Sequence, residues 1–192
     1  MASPRPTPPP RRVSSMLEVE VKHRADLSKV RERLRSLGFS LVASQEEVDI
    51  YLQHPCRNFA ATDEALRVRS AGGRAYVAYK GPRMGARAKT RVEVSAEASP
   101  GILEVFEKLG FTAVARIRKR REYYAGGGFL VSLDMVEGLG EFVEVEKTVA
   151  SEEEIPRAVE EVRRLASALG LGEEVRETYL ELFLNTFKPG SQ

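Results

Sequence analysis

Cysteine, histidine, long apolar runs and an excess of either charge are all scarce in this chain, and each scarcity excludes a class of protein. Cys56 is the only cysteine, so no internal disulfide can form and no thiolate cluster can hold a metal. That usage fits an intracellular compartment. His23 and His54 are the two histidines. They lie far apart without metal-ligand spacing and are expected as ordinary surface or rim residues. No apolar stretch approaches the length of a membrane span, and the N-terminus lacks the apolar core of a signal peptide, which predicts a cytoplasmic protein with no membrane partner. The net charge is only +2, because 30 Lys and Arg nearly cancel 28 Asp and Glu. Any electrostatic argument must therefore rest on where charges sit.

What is present is a soluble globular composition, 42% apolar and 30% charged over 192 residues, which predicts one domain with a substantial core. Residues 1–15 carry five prolines in their first ten positions, followed by Arg11 and Arg12, and are expected to be a disordered tail. Residues 186–192 are expected to be a second tail, which leaves 16–185 as the domain.

Between the tails the dominant pattern is alternation. Leu17, Val19 and Val21 interleave with Glu18, Glu20 and Lys22, the period of two of a strand. Similar stretches run over 48–52, 66–70, 75–80, 88–96, 114–124, 129–136 and 142–146, giving about eight strands. Gly72-Gly73, Gly126 to Gly128 and Gly138-Leu-Gly140 fall between them and suit hairpins. Asp26 can cap a helix with apolar positions Leu27, Val30, Leu34 and Leu37, stopped by Gly38. Ser99-Pro100 opens a second helix carrying Ile102, Leu103, Phe106 and Leu109. Residues 152–169 and 174–184 are expected as a C-terminal helical pair.

The polar faces of the strands are unusually charged. Glu18, Glu20 and Lys22 share one face, Arg67 and Arg69 another, Arg87, Lys89, Arg91 and Glu93 a third, and Glu144 and Glu146 a fourth. The plain alternative is a half-exposed sheet with that face in water. If the helices cover the apolar faces, however, the charged faces converge on the lumen of a closed barrel. Such a lumen needs its charges neutralised by each other, by water or by a ligand. Clustered Arg and Lys suit phosphate oxygens, and carboxylates among them suit Mg²⁺ or Mn²⁺ completed by phosphate. On the strand at 114–124 the alternation alone leaves open whether Arg116, Arg118 and Arg120 or Lys119 and Arg121 point inward.

The Glu18-x-Glu20-x-Lys22 trio resembles the signature of the CYTH family of triphosphate tunnel enzymes. Further segments match in order: Asp49-Ile-Tyr51, Leu66-Arg67-Val-Arg69, Tyr79-Lys80-Gly81-Pro82, Lys89-Thr-Arg91-Val-Glu93, Ile117-Arg-Lys119-Arg-Arg121 with Tyr124, and the run from Asp134 to Glu146. The likeness covers about residues 16–147 and lies nearest the class IV adenylyl cyclase branch. It implies an α+β fold, an eight-stranded antiparallel closed β-barrel with a charged lumen and surrounding helices. It also implies Glu18, Glu20 and Lys22 as catalytic residues, and Glu18, Glu20, Glu93, Asp134, Glu144 and Glu146 as ligands of Mg²⁺ or Mn²⁺. Arg67, Arg69, Lys80, Lys89, Arg91, Lys119 and Arg121 are implied as the triphosphate-binding set, which selects Lys119 and Arg121 as the inward pair.

The implied reaction is either conversion of ATP to cyclic AMP and pyrophosphate or hydrolysis of an organic or inorganic triphosphate such as thiamine triphosphate. Both need cations and metal to stabilise charge on phosphorus. A non-catalytic polyphosphate or RNA binder is the rival from another class, suggested by Arg116 to Arg121 and the tail arginines. Nucleic acid is the disfavoured partner, because inward glutamates weaken a sequence-independent polyanion site. Oligomeric state is not fixed by the sequence, and a homodimer is left open.

Overall fold

A computed structural model describes residues 16–84 and 89–187, with the side chains of Met16, Lys89 and Thr90 not among those described. The expected tail at 1–15, the last five residues and Arg87 therefore lie outside the described residues. Eight strands form a closed antiparallel barrel. They are β1 (Met16–Arg24), β2 (Ser40–Gln53), β3 (Ala65–Ala71), β4 (Arg74–Lys80), β5 (Lys89–Ala98), β6 (Thr112–Gly126), β7 (Phe129–Val136) and β8 (Gly140–Val149). Their order around the barrel is β1-β5-β4-β3-β2-β6-β7-β8. Helix α1 (Leu27–Ser36) joins β1 to β2, α2 (Ile102–Lys108) joins β5 to β6, and α3 (Ile155–Ala168) and α4 (Tyr179–Thr186) follow β8. The two-residue β3–β4 turn is made by Gly72 and Gly73 at φ 55° and 76°, a left-handed pair that side chains with a Cβ resist.

The apolar faces of the strands point outward and are covered by helices. Val19 and Val21 of β1, Val131 and Leu133 of β7, and Val143 and Val145 of β8 pack against Leu27, Val30 and Leu34 of α1 and Val159, Val162 and Ala166 of α3. Leu66 and Val68 of β3 pack with Leu52, Phe59 and residues Ile102, Leu103 and Phe106 of α2. The alternation puts the opposite residues of each strand inside. Lys119 and Arg121 are buried while Arg116, Arg118 and Arg120 are exposed, so the structure resolves the phase that the bare alternation leaves open.

Several expectations are corrected. Strand β2 begins at Ser40, not near 48, because Ser40 to Glu46 pair with the far half of β6. Leu37 and Leu109 do not join their apolar stripes; they are 48% and 62% exposed. The last helix starts at Tyr179, not 174, because the chain before it is extended along β1, where Val175 donates to the Lys22 carbonyl and Glu174 bridges His23. Thr178 then opens α4 with a capping box to Glu181, the reciprocal pair that fixes a helix start. Thr186, expected in the tail, is the last residue of α4. His23 is buried, not at the surface, with Nδ1 at 2.9 Å from the Gly172 carbonyl.

The packing separates two leucines of one helix. Leu34→Ala opens a cavity at a fully buried position and should cost about 2–5 kcal/mol in urea unfolding. Leu37→Ala should stay within about 0.5 kcal/mol; equal losses would contradict the helix placement.

Candidate active site

The barrel encloses a cavity of about 1490 Å³, more than most small-ligand pockets. Glu18, Glu20, Lys22, Arg67, Arg69, Lys80, Arg91, Glu93, Lys119, Arg121, Glu144 and Glu146 all line it. The strands place them there by alternation alone, and the register brings them level. Glu20 lies opposite Glu146 and Lys22 opposite Glu144 across β1–β8, and Lys80 lies opposite Glu93 across β4–β5. The side chain of Lys89 is not among those described, although its backbone pairs with Glu20.

One wall is cationic and tightly paired. Arg69 makes a two-pronged ion pair with Asp49, Nε to Oδ1 at 2.7 Å and Nη2 to Oδ2 at 2.9 Å, and reaches Glu47 at 2.9 Å. Lys119 lies 3.5 Å from Glu47 and 3.4 Å from Asp49. Arg121 forks onto Asp134 and also holds Glu144. Burial alone would raise the Glu47 carboxyl, but Arg69, Arg121 and Lys119 outweigh it and hold the group at about 2. Asp49 is likewise held well below the usual range against its burial, by Lys119, Arg67 and Arg69. Lys119 moves the other way, to about 8, because burial and then the neighbouring Arg121 and Arg69 disfavour its charge. Arg67 is held more loosely than these, 3.9 Å from Asp49 and from Glu93, and its Nε has no hydrogen-bond partner among the described residues.

The other wall is anionic. Burial raises Glu18 well above the ordinary range, and Glu146 reinforces the shift against the opposing Lys80. Burial, then Glu20, Glu144 and Glu93, push Glu146 up to about 7. Lys80 is 2.7 Å from Glu93 and 3.4 Å from Glu18 and, with Arg67, holds Glu93 at about 2 despite burial. β1 and β8 thus carry carboxylates whose mutual repulsion is incompletely offset, the condition a further cation would relieve.

Sequence reasoning missed four contributors. Glu47 and Tyr123 complete the Arg69 and Lys119 network, with the Tyr123 hydroxyl donating to Glu47. Tyr179 enters the lumen from α4, its hydroxyl donating to Asp134 Oδ2 at 2.6 Å. Arg83 ties Asp63 to Glu181 at the same end, at 2.8 and 2.9 Å. Glu47 lies two residues before Asp49 of the CYTH-like segment and on the same face of β2, so alternation extended back from that segment would have found it. The Thr178-x-x-Glu181 capping box would have located the start of α4. Nothing local marks Arg83.

Comparison with known proteins points the same way. Residues 16–179 match the CYTH domain. A Methanocaldococcus jannaschii protein that carries the name adenylate cyclase provisionally is 41% identical over 172 residues, covering 87% of this chain and 98% of that one. An Aeromonas hydrophila protein named adenylate cyclase CyaB is 28% identical over 166 residues, covering 84% of each. The solved structure of the PH1819 protein from Pyrococcus horikoshii OT3 is 39% identical and superposes with a TM-score of 0.82, covering 88% of this chain and 99% of that one.

The carboxylates of β1 and β8 offer the hard oxygen donors that Mg²⁺ and Mn²⁺ favour, and the raised Glu18 and Glu146 fit a cation between them. Among the described residues, no three or more Asp, Glu, His or Cys side chains are grouped so that they could hold a metal ion by themselves. Asp134 stands apart from these carboxylates, since Arg121 takes both its oxygens and Tyr179 shares one. Asp134→Ala should therefore lower stability by about 1–3 kcal/mol in chemical denaturation, because the buried Arg121 loses its two-pronged partner and keeps only Glu144. Glu137→Ala, which removes an exposed partner 3.8 Å from Arg118, should change stability by less than about 1 kcal/mol. A tolerated Asp134→Ala would mean that Arg121 does not need it.

Proposed function

This chain belongs to the CYTH domain family, and from that premise we propose that it is a divalent-cation-dependent class IV adenylyl cyclase converting ATP to cyclic AMP and pyrophosphate. An enzyme of the CYTH type, cyclase or triphosphatase, follows from the family itself. The cyclase reading takes its support from the names of the two curated relatives. In this reading residues 16–185 form the catalytic unit and act in the cytoplasm.

The observation that carries the proposal is that a carboxylate wall and a cation wall, their side chains buried or half-buried, face each other across one lumen. A polyanion alone would be repelled by the first wall and a metal alone by the second. A metal triphosphate satisfies both. Arg67, Arg69, Lys80, Lys89, Arg91, Lys119 and Arg121 would bind the phosphate oxygens, with Arg67 the cation least committed to protein carboxylates. Glu18, Glu20, Glu144 and Glu146, with Glu93 beside them, would hold Mg²⁺ or Mn²⁺, which when bound supplies positive charge to the triphosphate. Lys22, held 3.1 Å from Glu144, would bridge the two walls. Asp134 orients Arg121. The substrate's 3′-hydroxyl would attack the α-phosphorus and give up its proton to solvent as the bond from that phosphorus to the α–β bridging oxygen breaks and pyrophosphate leaves, and the cation wall would stabilise the charge gathering on the phosphate oxygens.

The test is product analysis after incubating the protein with ATP and Mg²⁺ or Mn²⁺. Cyclic AMP and pyrophosphate in equal amounts are expected. Orthophosphate without cyclic AMP would overturn the cyclase reading and point to a CYTH triphosphatase.

Lys119 gives the site a pH dependence. At about 8 in the fold, its ammonium is partly lost above that pH, whereas a bound triphosphate favours the charged form. Binding must then take up a proton, and affinity must fall as pH rises through 8. Lys119→Ala should weaken ATP binding by about one to two orders of magnitude, the equivalent of about 1.5–3 kcal/mol for a charge-assisted contact. Lys119→Arg, permanently charged, should flatten the profile above pH 8. Arg118→Ala, whose side chain is 57% exposed outside the barrel, should leave affinity within about twofold. A crippling Arg118→Ala beside a silent Lys119→Ala would contradict the face assignment.

A further inference from the structure

The cations of the lumen are carried by strands, but a side chain from outside the barrel supports three of them, Lys22, Lys119 and Arg121. Tyr179 is the first residue of α4 and is 5% exposed. Its ring lies beneath two ammonium groups, with Lys22 Nζ 3.5 Å and Lys119 Nζ 5.0 Å from the ring centroid. Its hydroxyl donates to Asp134 Oδ2 at 2.6 Å, and Asp134 is the carboxylate that forks onto Arg121. Phe142 meets the ring edge-on at 5.2 Å, and Tyr51, Ile117 and Phe142 complete the apolar setting. We propose that Tyr179 is a positioning residue for the cations of the lumen, an aromatic floor that holds Lys22 and the phosphate-binding Lys119 facing the lumen and fixes Arg121 through Asp134. This inference rests on the triphosphate reading of the lumen.

The physics favours a ring over any other apolar side chain here. An ammonium buried among other cations is costly, and the electron-rich ring face is a neutral surface that attracts it without adding a charge. A carboxylate in the same place would also attract Lys22 and Lys119, but it would repel the incoming anion. An aliphatic side chain would fill the volume and offer no attraction. Burial first, then Glu144 and Asp134, hold the phenol well above its ordinary range, so it stays a neutral donor. The position also requires α4 in place. Thr178 and Glu181 close the capping box, and Arg83 pins Glu181 to Asp63. The C-terminal helix is on this view part of the site, although it adds no strand to the barrel.

The experiment measures calorimetric binding of inorganic pyrophosphate with Mg²⁺ to the wild type and to Tyr179→Phe, Tyr179→Leu and Tyr179→Met, with thermal unfolding run on each. Phe keeps the ring face and loses only the bond to Asp134, so its affinity should fall by less than about threefold. Leu and Met lose the ring and should fall about tenfold, the range expected of a desolvated cation–π contact. The pH profile supplies a readout that packing alone would not move. Lys119 is faced by Glu47 and Asp49 from β2, Arg69 from β3, Arg121 on its own strand, Asp134 from β7 and Tyr179 from α4. Of these only the ring changes, so the pH at which affinity falls should move down in Leu and Met and stay in place in Phe. Equal losses in Phe, Leu and Met, or losses that merely follow their unfolding temperatures, would overturn the positioning role. If Leu does not fold, the Phe and Met pair decides alone. A wild type that binds no pyrophosphate would instead overturn the triphosphate reading on which the inference stands.

Discussion

Burying charge inside a small barrel is possible only when nearly every charge has a partner, and that constraint shapes this molecule. An isolated ion in such an interior costs several kcal/mol even after relaxation. The strands respond by setting opposite charges level: Asp49 and Glu47 against Arg69 and Lys119, Asp134 and Glu144 against Arg121, Glu93 against Lys80. The pairing is uneven. Around Glu18 and Glu146 the carboxylates outweigh their neighbours, and around Arg67 the contacts are long. The paired regions hold the fold, and the unevenly paired ones can accept a ligand of both charges.

The same constraint explains why one large hydrophobic cluster lies outside the barrel. With the lumen given to ions, the valines of β1, β7 and β8 can be buried only by helices, and α1 and α3 cover them. Helix α4 works differently. Its apolar residues Leu180, Leu182 and Phe183 seal one end of the lumen with Leu139 and Phe142, while Tyr179 reaches inside. Covering strands β1, β7 and β8 and lining the lumen are thus carried out by different helices.

Much of this was legible in the sequence because the two faces of each strand differ so sharply in chemistry. Glu18-Val19-Glu20-Val21-Lys22 can place its valines on a helix-covered surface only by turning its charges inward. The first half of β2 was hidden for the opposite reason. Ser40 to Glu46 lie largely exposed, so no alternation is imposed on them, and only their pairing with β6 makes them a strand. The inward face of β6 was ambiguous because both faces carry cations, Arg116, Arg118 and Arg120 on one and Lys119 and Arg121 on the other. Tyr179 and Arg83 act through partners 45 and 98 residues away, and spacing along the chain cannot display such contacts.

The central claim is that the two walls need each other's ligand, and the most direct measurement is the equilibrium affinity for ATP with and without Mg²⁺. Tight binding only when the metal is present, lost again when Glu18 and Glu146 are both replaced by alanine under otherwise identical conditions, is the expected result. ATP binding that is equally strong without the metal, and insensitive to those two carboxylates, would contradict it.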